Sequence, residues 1–237
     1  MKRDAAVIRS MFASIARRYD FLNHLLSLNQ DKRWRSKTVQ ATASGSEKLV
    51  LDVCSGTGDL AIEYARNMNG AGLVVGGDFT PEMLGLGKRK LSGAGGTAGK
   101  VALVAADTLQ LPFLDGAFDI VSVAFGIRNV SDLKGGIREM ARVTRRGGKV
   151  VVLEFSLPQN KLIGGIYLLY FTRLLPLVGR MISRAGNDAY SYLPASVLKF
   201  ASKEEMAACL ADCGLVNISV RSLSLGIVTL YVAQKDS

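Results

Sequence analysis

The chain has 237 residues, 49% of them hydrophobic and 21% charged, a balance that excludes a disordered or collagen-like polypeptide. Three cysteines, Cys54, Cys209 and Cys213, are too few and too scattered for a zinc cluster or a disulfide framework, so no metal site is expected and a reduced cytoplasmic setting is. Lys and Arg outnumber Asp and Glu by 30 to 20; the net charge of +10 points to a nearby polyanion, either nucleic acid or an anionic membrane surface.

The elements follow in chain order. No apolar run follows the opening "MKRD", so no signal peptide is expected. "AAVIRSMFASIARRYDFLNHLLSL" has apolar residues at Ile8, Met11, Phe12, Ile15 and Tyr19, a helical spacing with a basic opposite face. A second helix is expected from about Asp31 through "KRWRSKTVQATA". Residues 1–37 hold nine Lys and Arg against three Asp, so this region carries +6 of the total charge. After the loop "ASGSEK" the rhythm changes. "KLVLDV", "GLVVGGD", "VALVAAD", "FDIVSVAF" and "KVVVLEF" read as strands; "DLAIEYARNM", "PEMLGLGKRKL" and "DLKGGIREMARVT" read as helices between them; "GAGGTAGK" reads as a flexible loop. Continuous apolar strands alternating with helices indicate a doubly wound parallel sheet covered on both faces. "KEEMAACLADCG" is a helix ending at Gly214, in which Cys209 and Cys213 read as small buried residues one turn apart. "NISVRSLSLGIVTLYVAQK" reads as a hairpin turning at Leu225 and Gly226.

One insert stands apart. "KLIGGIYLLYFTRLLPLVGRMISR" is the most apolar long segment, with basic Lys161, Arg173, Arg180 and Arg184 and no acid. Arg173 in its middle and the kinking Pro176 argue against a membrane span. Two readings stay open: a core helix pair, or an apolar lid facing a membrane with basic edges.

The first chemical signal is "LDVCSGTGDLA", a strand that runs through Gly56, Thr57 and Gly58 into a helix. Glycines there let backbone amides approach a ligand closely. Asp52 and Asp59 flank the loop, and two carboxylates would repel a pyrophosphate. They suit a cationic ligand head, as in S-adenosylmethionine, which carries a sulfonium and an ammonium and no phosphate. Asp78 ends the next strand, where a carboxylate can accept from both ribose hydroxyls; Phe79 and Met83 follow as apolar walls for a purine. Asp107, in "AADTLQLPF", is placed to accept from the adenine amino group. Each of these aspartates could instead cap the helix that follows it, but three at successive strand ends beside a glycine loop favour a ligand.

These stretches resemble a class I S-adenosylmethionine-dependent methyltransferase. The longer motifs "FASIARRYDFLNHLLSLNQDKRWR", "FGIRNVSD", "RVTRRGGKVVVLEFSLP", "YSYLPASVLKF" and "GIVTLYVAQK" are similar to those of the quinone-biosynthesis C-methyltransferases, the UbiE/MenG (COQ5-like) family, over nearly the whole chain. Asp31 stands where that family usually has histidine, Arg146 where it has proline, and Ala124 where some members have serine near the cofactor. The resemblance implies a seven-stranded, mostly parallel Rossmann-like sheet with an antiparallel last strand. It implies one methyltransferase domain: a helical cap over residues 1–45, a cofactor core over 48–156, the apolar and basic insert over 159–195 above the substrate site, and a C-terminal helix and hairpin over 203–237. It adds Ser55, Thr108 and Ala124 to the cofactor site, Ala124 through backbone or packing alone.

The activity implied is methylation of a ring carbon on a polyprenylated quinol, either demethylmenaquinol or a ubiquinone-precursor benzoquinol. Such a carbon attacks only when an adjacent hydroxyl loses its proton. Arg128 and Asn129, at the exit of the fourth strand, are then expected to hold the quinol oxygen and its anion, with a water on Arg128 and Tyr19 carrying off the proton. Arg128 could instead pair with Asp132 or Glu154, and Asn129 could cap the next helix, but the family resemblance favours the ligand-facing role. His24, the only histidine, and Asp20 are further candidates for the base. The implied partners are the quinol, an anionic membrane surface touched peripherally, and a homodimer or a quinone-biosynthesis complex; nucleic acid is not expected. The competing readings are a methyltransferase of another phenol, sterol or RNA acceptor, an RNA-binding protein, and a non-catalytic cofactor-binding scaffold.

Overall fold

The structure is a computed structural model, and it describes residues 5–93, 95–174 and 188–236. Five strands, β1 (Leu49–Val53), β2 (Leu73–Asp78), β3 (Val101–Ala105), β4 (Phe118–Ala124) and β5 (Thr144–Phe155), are parallel; β7 (Val228–Lys235) is antiparallel to both β5 and β6 (Leu215–Leu223). The sheet order is β3-β2-β1-β4-β5-β7-β6. The seven-stranded sheet and the C-terminal hairpin thus match the expectation from sequence.

Both faces are covered, which explains the unbroken apolar strands. Val150, Val151, Val152 and Leu153 alternate between the faces, and all four are fully buried. α2 (Gln30–Thr42) and α3 (Asp59–Asn67) close one face through Trp34, Val39, Leu60 and Tyr64. α5 (Leu133–Val143) and, near the C-terminus, the helix Lys203–Asp212 close the other through Ile137, Met140, Met206 and Leu210. Each such side chain contributes roughly 1.5–3 kcal/mol on burial. α4 (Pro81–Ser92) follows β2 and packs on β3 and on α1 (Ala5–Leu26). After β5 come α6 (Lys161–Leu169), a π-helical turn over Tyr170–Leu174, and α7 (Asp188–Leu198); Lys203–Asp212 is α8.

Three details depart from the sequence reading. The "GAGGTAGK" stretch is not an irregular loop throughout, since Gly95–Lys100 forms 3-10 turns. β5 starts five residues earlier than "KVVVLEF" because Gly147, at φ +70°, lets the chain pass a register shift opposite Phe118 and Ile120. α7 runs to Leu198, with Pro194 inside it, past the boundary of 195 expected for the insert. Pro176, Arg180 and Arg184 lie outside the described residues.

Candidate active site

The site lies at the carboxyl ends of β1, β2, β4 and β5, where open α/β sheets place their ligands. Two loops meet there. Cys54 after β1 and Phe125 after β4 hold φ +51° and +57°, unusual for residues with side chains. A Cβ on Gly126 would stand 2.3 Å from the Cys54 Cβ, so only glycine lets the loops approach this closely. Gly56 at φ +58° and Gly58 at φ +85° carry the chain from β1 into α3.

Strand-end acids organise the loop. Asp78 accepts from the Gly56 amide with one carboxylate oxygen and from the Thr80 amide with the other, both at 2.8 Å; burial pushes its carboxyl up. Asp52 is 1% exposed and receives only hydroxyl bonds, from Ser55 at 2.9 Å and Ser122 at 3.3 Å. Burial pushes it up to about 7. Among the described residues no cation contacts this carboxylate, so a cationic ligand group would relieve it. Asp59 is different: Lys90 binds it at 2.5 Å and Arg35 approaches at 3.7 Å, and the nearby Arg35 and Lys90 keep its carboxyl low despite burial. Its charge is spent within the protein, so Asp52 alone carries the charge argument made from sequence. Lys90 also binds Thr57 at 2.9 Å and Asp20 at 2.6 Å, fastening α1 to the loop.

A small cavity of about 90 Å³ is lined by Asp78, Phe79, Met83, Asp107, Thr108 and Asn129. Asp107 is exposed there; one of its oxygens accepts from the Leu109 amide at 2.9 Å. A larger cavity of about 620 Å³ adjoins it, and Phe12, Cys54, Gly56, Ala124 and Phe125 line both. Ser55 and Thr57 face the larger one. Trp34, Phe125 and Phe155 form an aromatic wall there, with ring centroids 4.7–6.1 Å apart.

Arg128 lines the larger cavity but is not bare. It is 6% exposed, binds Glu154 at 2.7 Å and Ser196 at 3.3 Å, donates to the Phe125 carbonyl, and lies 5.5 Å over the Phe155 ring. Glu154 is fully buried; burial pushes its carboxyl up, against the pull of Arg128. Of the two partners weighed from sequence, Glu154 is the one used. Asp132 caps α5 instead, accepting from the Gly135 amide at 3.0 Å.

The chain matches the ubiE/COQ5 methyltransferase family over residues 1–235. It belongs to that family. A relative from Geobacter sulfurreducens, named ubiquinone/menaquinone biosynthesis C-methyltransferase UbiE, is 45% identical over 96% of this chain and 88% of its own. A demethylmenaquinone methyltransferase from Thermus thermophilus is 42% identical over 95% of this chain and 100% of its own. Among solved structures, an S-adenosylmethionine-dependent methyltransferase from Thermotoga maritima shares the fold with a TM-score of 0.67 at 15% identity, covering 96% of this chain and 99% of that one. A Haemonchus contortus phosphoethanolamine N-methyltransferase in complex with S-adenosyl-L-methionine does so with a TM-score of 0.61 at 14% identity, covering 88% and 53%.

The protein is therefore an S-adenosylmethionine-dependent methyltransferase, and its residues fit that cofactor: the glycine turn, a cation-seeking Asp52, and Asp78, Phe79, Met83, Asp107 and Thr108 around the smaller cavity. The two residues expected to hold the acceptor together part company. Arg128 faces the larger cavity, whereas Asn129 lines the smaller one, accepting from the Tyr192 hydroxyl at 3.0 Å. Tyr19 falls within α1, and its side chain lies outside the described residues. Asp20 is tied to Thr57 at 2.6 Å and to Lys90. The sequence reading overlooked Lys90, Tyr192, Ser196 and the aromatic wall. Phe125 and Phe155 could have been paired from sequence, because each sits at the exit of one of two neighbouring strands.

Proposed function

We propose that the methyltransferase acts on a ring carbon of a polyprenylated quinol, demethylmenaquinol or a ubiquinone-precursor benzoquinol. The observation that carries this reading is the larger cavity: an aromatic wall with one buried ion pair, Arg128–Glu154, beside the cofactor loop. Its lips are apolar and exposed: Leu28 on the α1–α2 turn, Ile166 on α6, Leu225 on the β6–β7 turn. A flat ring suits the wall, and a prenyl tail suits the lips.

Bound S-adenosylmethionine supplies an activated methyl group, so the protein's part is positioning and charge. Trp34, Phe125 and Phe155 hold the ring plane. The Arg128 guanidinium stabilises the ring oxygen as it becomes an anion, while Glu154 and Ser196 fix its orientation. Asn129 steadies the cofactor side of the boundary, within the smaller cavity.

The same reading brings the protein to an anionic membrane surface at the cytoplasmic side. Leu162, Ile166 and Leu169 expose one apolar face of α6, and Lys32, Arg33 and Lys37 are exposed on α2 beside Leu28. Among the described residues no helix is long and apolar enough to cross a membrane. Liposome flotation tests the contact: about 0.5 M salt releases a charge-held protein, whereas salt-insensitive binding means apolar insertion.

The decisive assay incubates the protein with labelled S-adenosylmethionine and membranes that lack this methylation step, then identifies the product by mass. A methylated prenyl quinol is expected; label on a soluble phenol, a sterol or RNA overturns the reading. Arg128→Ala alone would strand Glu154. The double variant Arg128→Met with Glu154→Gln removes the anion-stabilising charge from a neutral pair. It is expected to keep cofactor binding and lose on the order of 10²–10³ in kcat.

A further inference from the structure

Arg128 and its neighbour Asn129 are both held by one helix. Tyr192 and Ser196 stand four residues apart on α7, one turn along the same face. The Ser196 hydroxyl donates to the Leu193 carbonyl at 2.8 Å and accepts from Arg128 Nε at 3.3 Å. The Tyr192 hydroxyl donates to Asn129 Oδ1 at 3.0 Å. Tyr192 lines the larger cavity and Asn129 the smaller one, so this bond spans the boundary between them. His24, by contrast, lines neither cavity, and its Nδ1 is bound to Asp31 at 2.7 Å.

The two groups that face the larger cavity differ in what they have left to offer. Arg128 Nε and Nη1 are used on Ser196, Glu154 and the Phe125 carbonyl, while Nη2 makes no hydrogen bond among the described residues. The remaining capacity of Arg128 is therefore to donate. A quinone carbonyl, a quinol hydroxyl and a quinolate all carry lone pairs, so Arg128 alone does not exclude the oxidised ring. A phenol has a single hydrogen, and that of Tyr192 is spent on Asn129. The remaining capacity of Tyr192 is to accept. A quinol hydroxyl can donate to it; a quinone carbonyl would set two acceptors against each other.

We infer that Tyr192 selects the reduced form of the acceptor, taking a hydrogen bond from the quinol hydroxyl that Arg128 does not hold. The inference rests on the quinol reading of the same cavity. Asn129 acts through Tyr192: by binding the phenolic hydrogen it turns the hydroxyl into an acceptor, so it is a positioning residue for recognition in the neighbouring cavity. The selection has a chemical use. An oxidised ring has no electron-rich carbon to attack a methyl group, so a quinone in the cavity would only block it. A site built to receive a hydroxyl hydrogen discriminates against the analogue that lacks one, because its own polar group is then left unpaired.

The probe is 2,3-dimethyl-1,4-naphthoquinone and its dithionite-reduced quinol. Both reactive ring carbons are blocked, so neither form is methylated or adds a thiol. Binding is followed without oxygen by the fluorescence of Trp34, the only tryptophan and part of the cavity wall, with S-adenosylhomocysteine at saturation. The wild type is expected to bind the quinol about tenfold more tightly than the quinone. Tyr192→Phe is expected to remove that preference, chiefly by weakening the quinol. Asn129→Leu frees the tyrosyl hydrogen to turn into the cavity, and quinone binding is expected to tighten by roughly threefold. A purely structural role for either residue would weaken both forms alike. If the wild type binds both forms equally, or Tyr192→Phe keeps the preference, selection by Tyr192 fails and the quinol reading stands. If the wild type binds neither form, the reading beneath it fails.

Discussion

Around the glycine loop and the smaller cavity polar groups have capacity to spare: Asp52, which edges the larger cavity, meets no cation among the described residues, Asp78 is held by two amides and Asp107 is exposed. On the acceptor side Arg128 is paired with Glu154 and Arg35 with Asp31, and most of the remaining wall is aromatic or aliphatic, with Asn23, Ser27, Gln30 and Ser224 among it. A strongly polar ligand is met by unfinished bonds. A mostly apolar one is met by shape, with its few polar demands served by pre-paired groups. The first kind of site announces itself by residue type, the second by packing.

Breaking a pair on the acceptor side should therefore cost stability before it costs recognition. Glu154→Ala leaves the buried Arg128 without its counter-ion and is expected to destabilise the fold by about 3–5 kcal/mol, measured by urea unfolding. A loss below about 1 kcal/mol would mean that the guanidinium finds water, and that the contrast is weaker than drawn. Gly126→Ala attacks the seam between the sides. Its Cβ would overlap Cys54, so about 1–3 kcal/mol of stability and part of the cofactor affinity should be lost together in calorimetry.

On the cofactor side the effect should fall on binding, and with pH. Asp52 is raised to about 7, so below that pH it is neutral and must lose a proton to meet a cation. Affinity for S-adenosylmethionine should fall by up to about tenfold per pH unit below 7 and level off above it, with proton release in calorimetry. Asp52→Asn should flatten this profile. The smallest effect should come from Lys90→Met, about 1 kcal/mol in thermal unfolding, because Asp20 and Asp59 are partly open to water. Its use is to separate fastening from binding: S-adenosylhomocysteine should dissociate faster while the Asp52 pH profile stays the same.

How much was legible follows the same divide. The sheet could be read because its strands are buried on both faces and its helices are amphipathic. Asp52, Asp78 and Asp107 could be read because a strand-end acid beside a glycine turn has few structural uses. Arg128 is legible as a ligand-facing residue that could pair with Glu154; its bond to the Phe125 carbonyl depends on the turn of its own loop, and its bond to Ser196 on α7, distant in sequence. Asn129 follows Arg128 directly, yet the 3-10 turn over Ile127–Asn129 rotates it toward the other cavity. Lys90 was invisible because nothing in α4 says that its far end returns to the glycine loop.

The Arg128–Glu154 pair also bears on how the enzyme lets go. A bare guanidinium in an apolar pocket would hold chloride, or any naphtholate, long after reaction. Coupled to a carboxylate, it presents a dipole of zero net charge to a neutral quinol on arrival and to a neutral product on departure. In the role proposed for it, the pair favours the ring oxygen only while that oxygen is an anion. Selectivity for a transient charge over a resident one is what turnover requires.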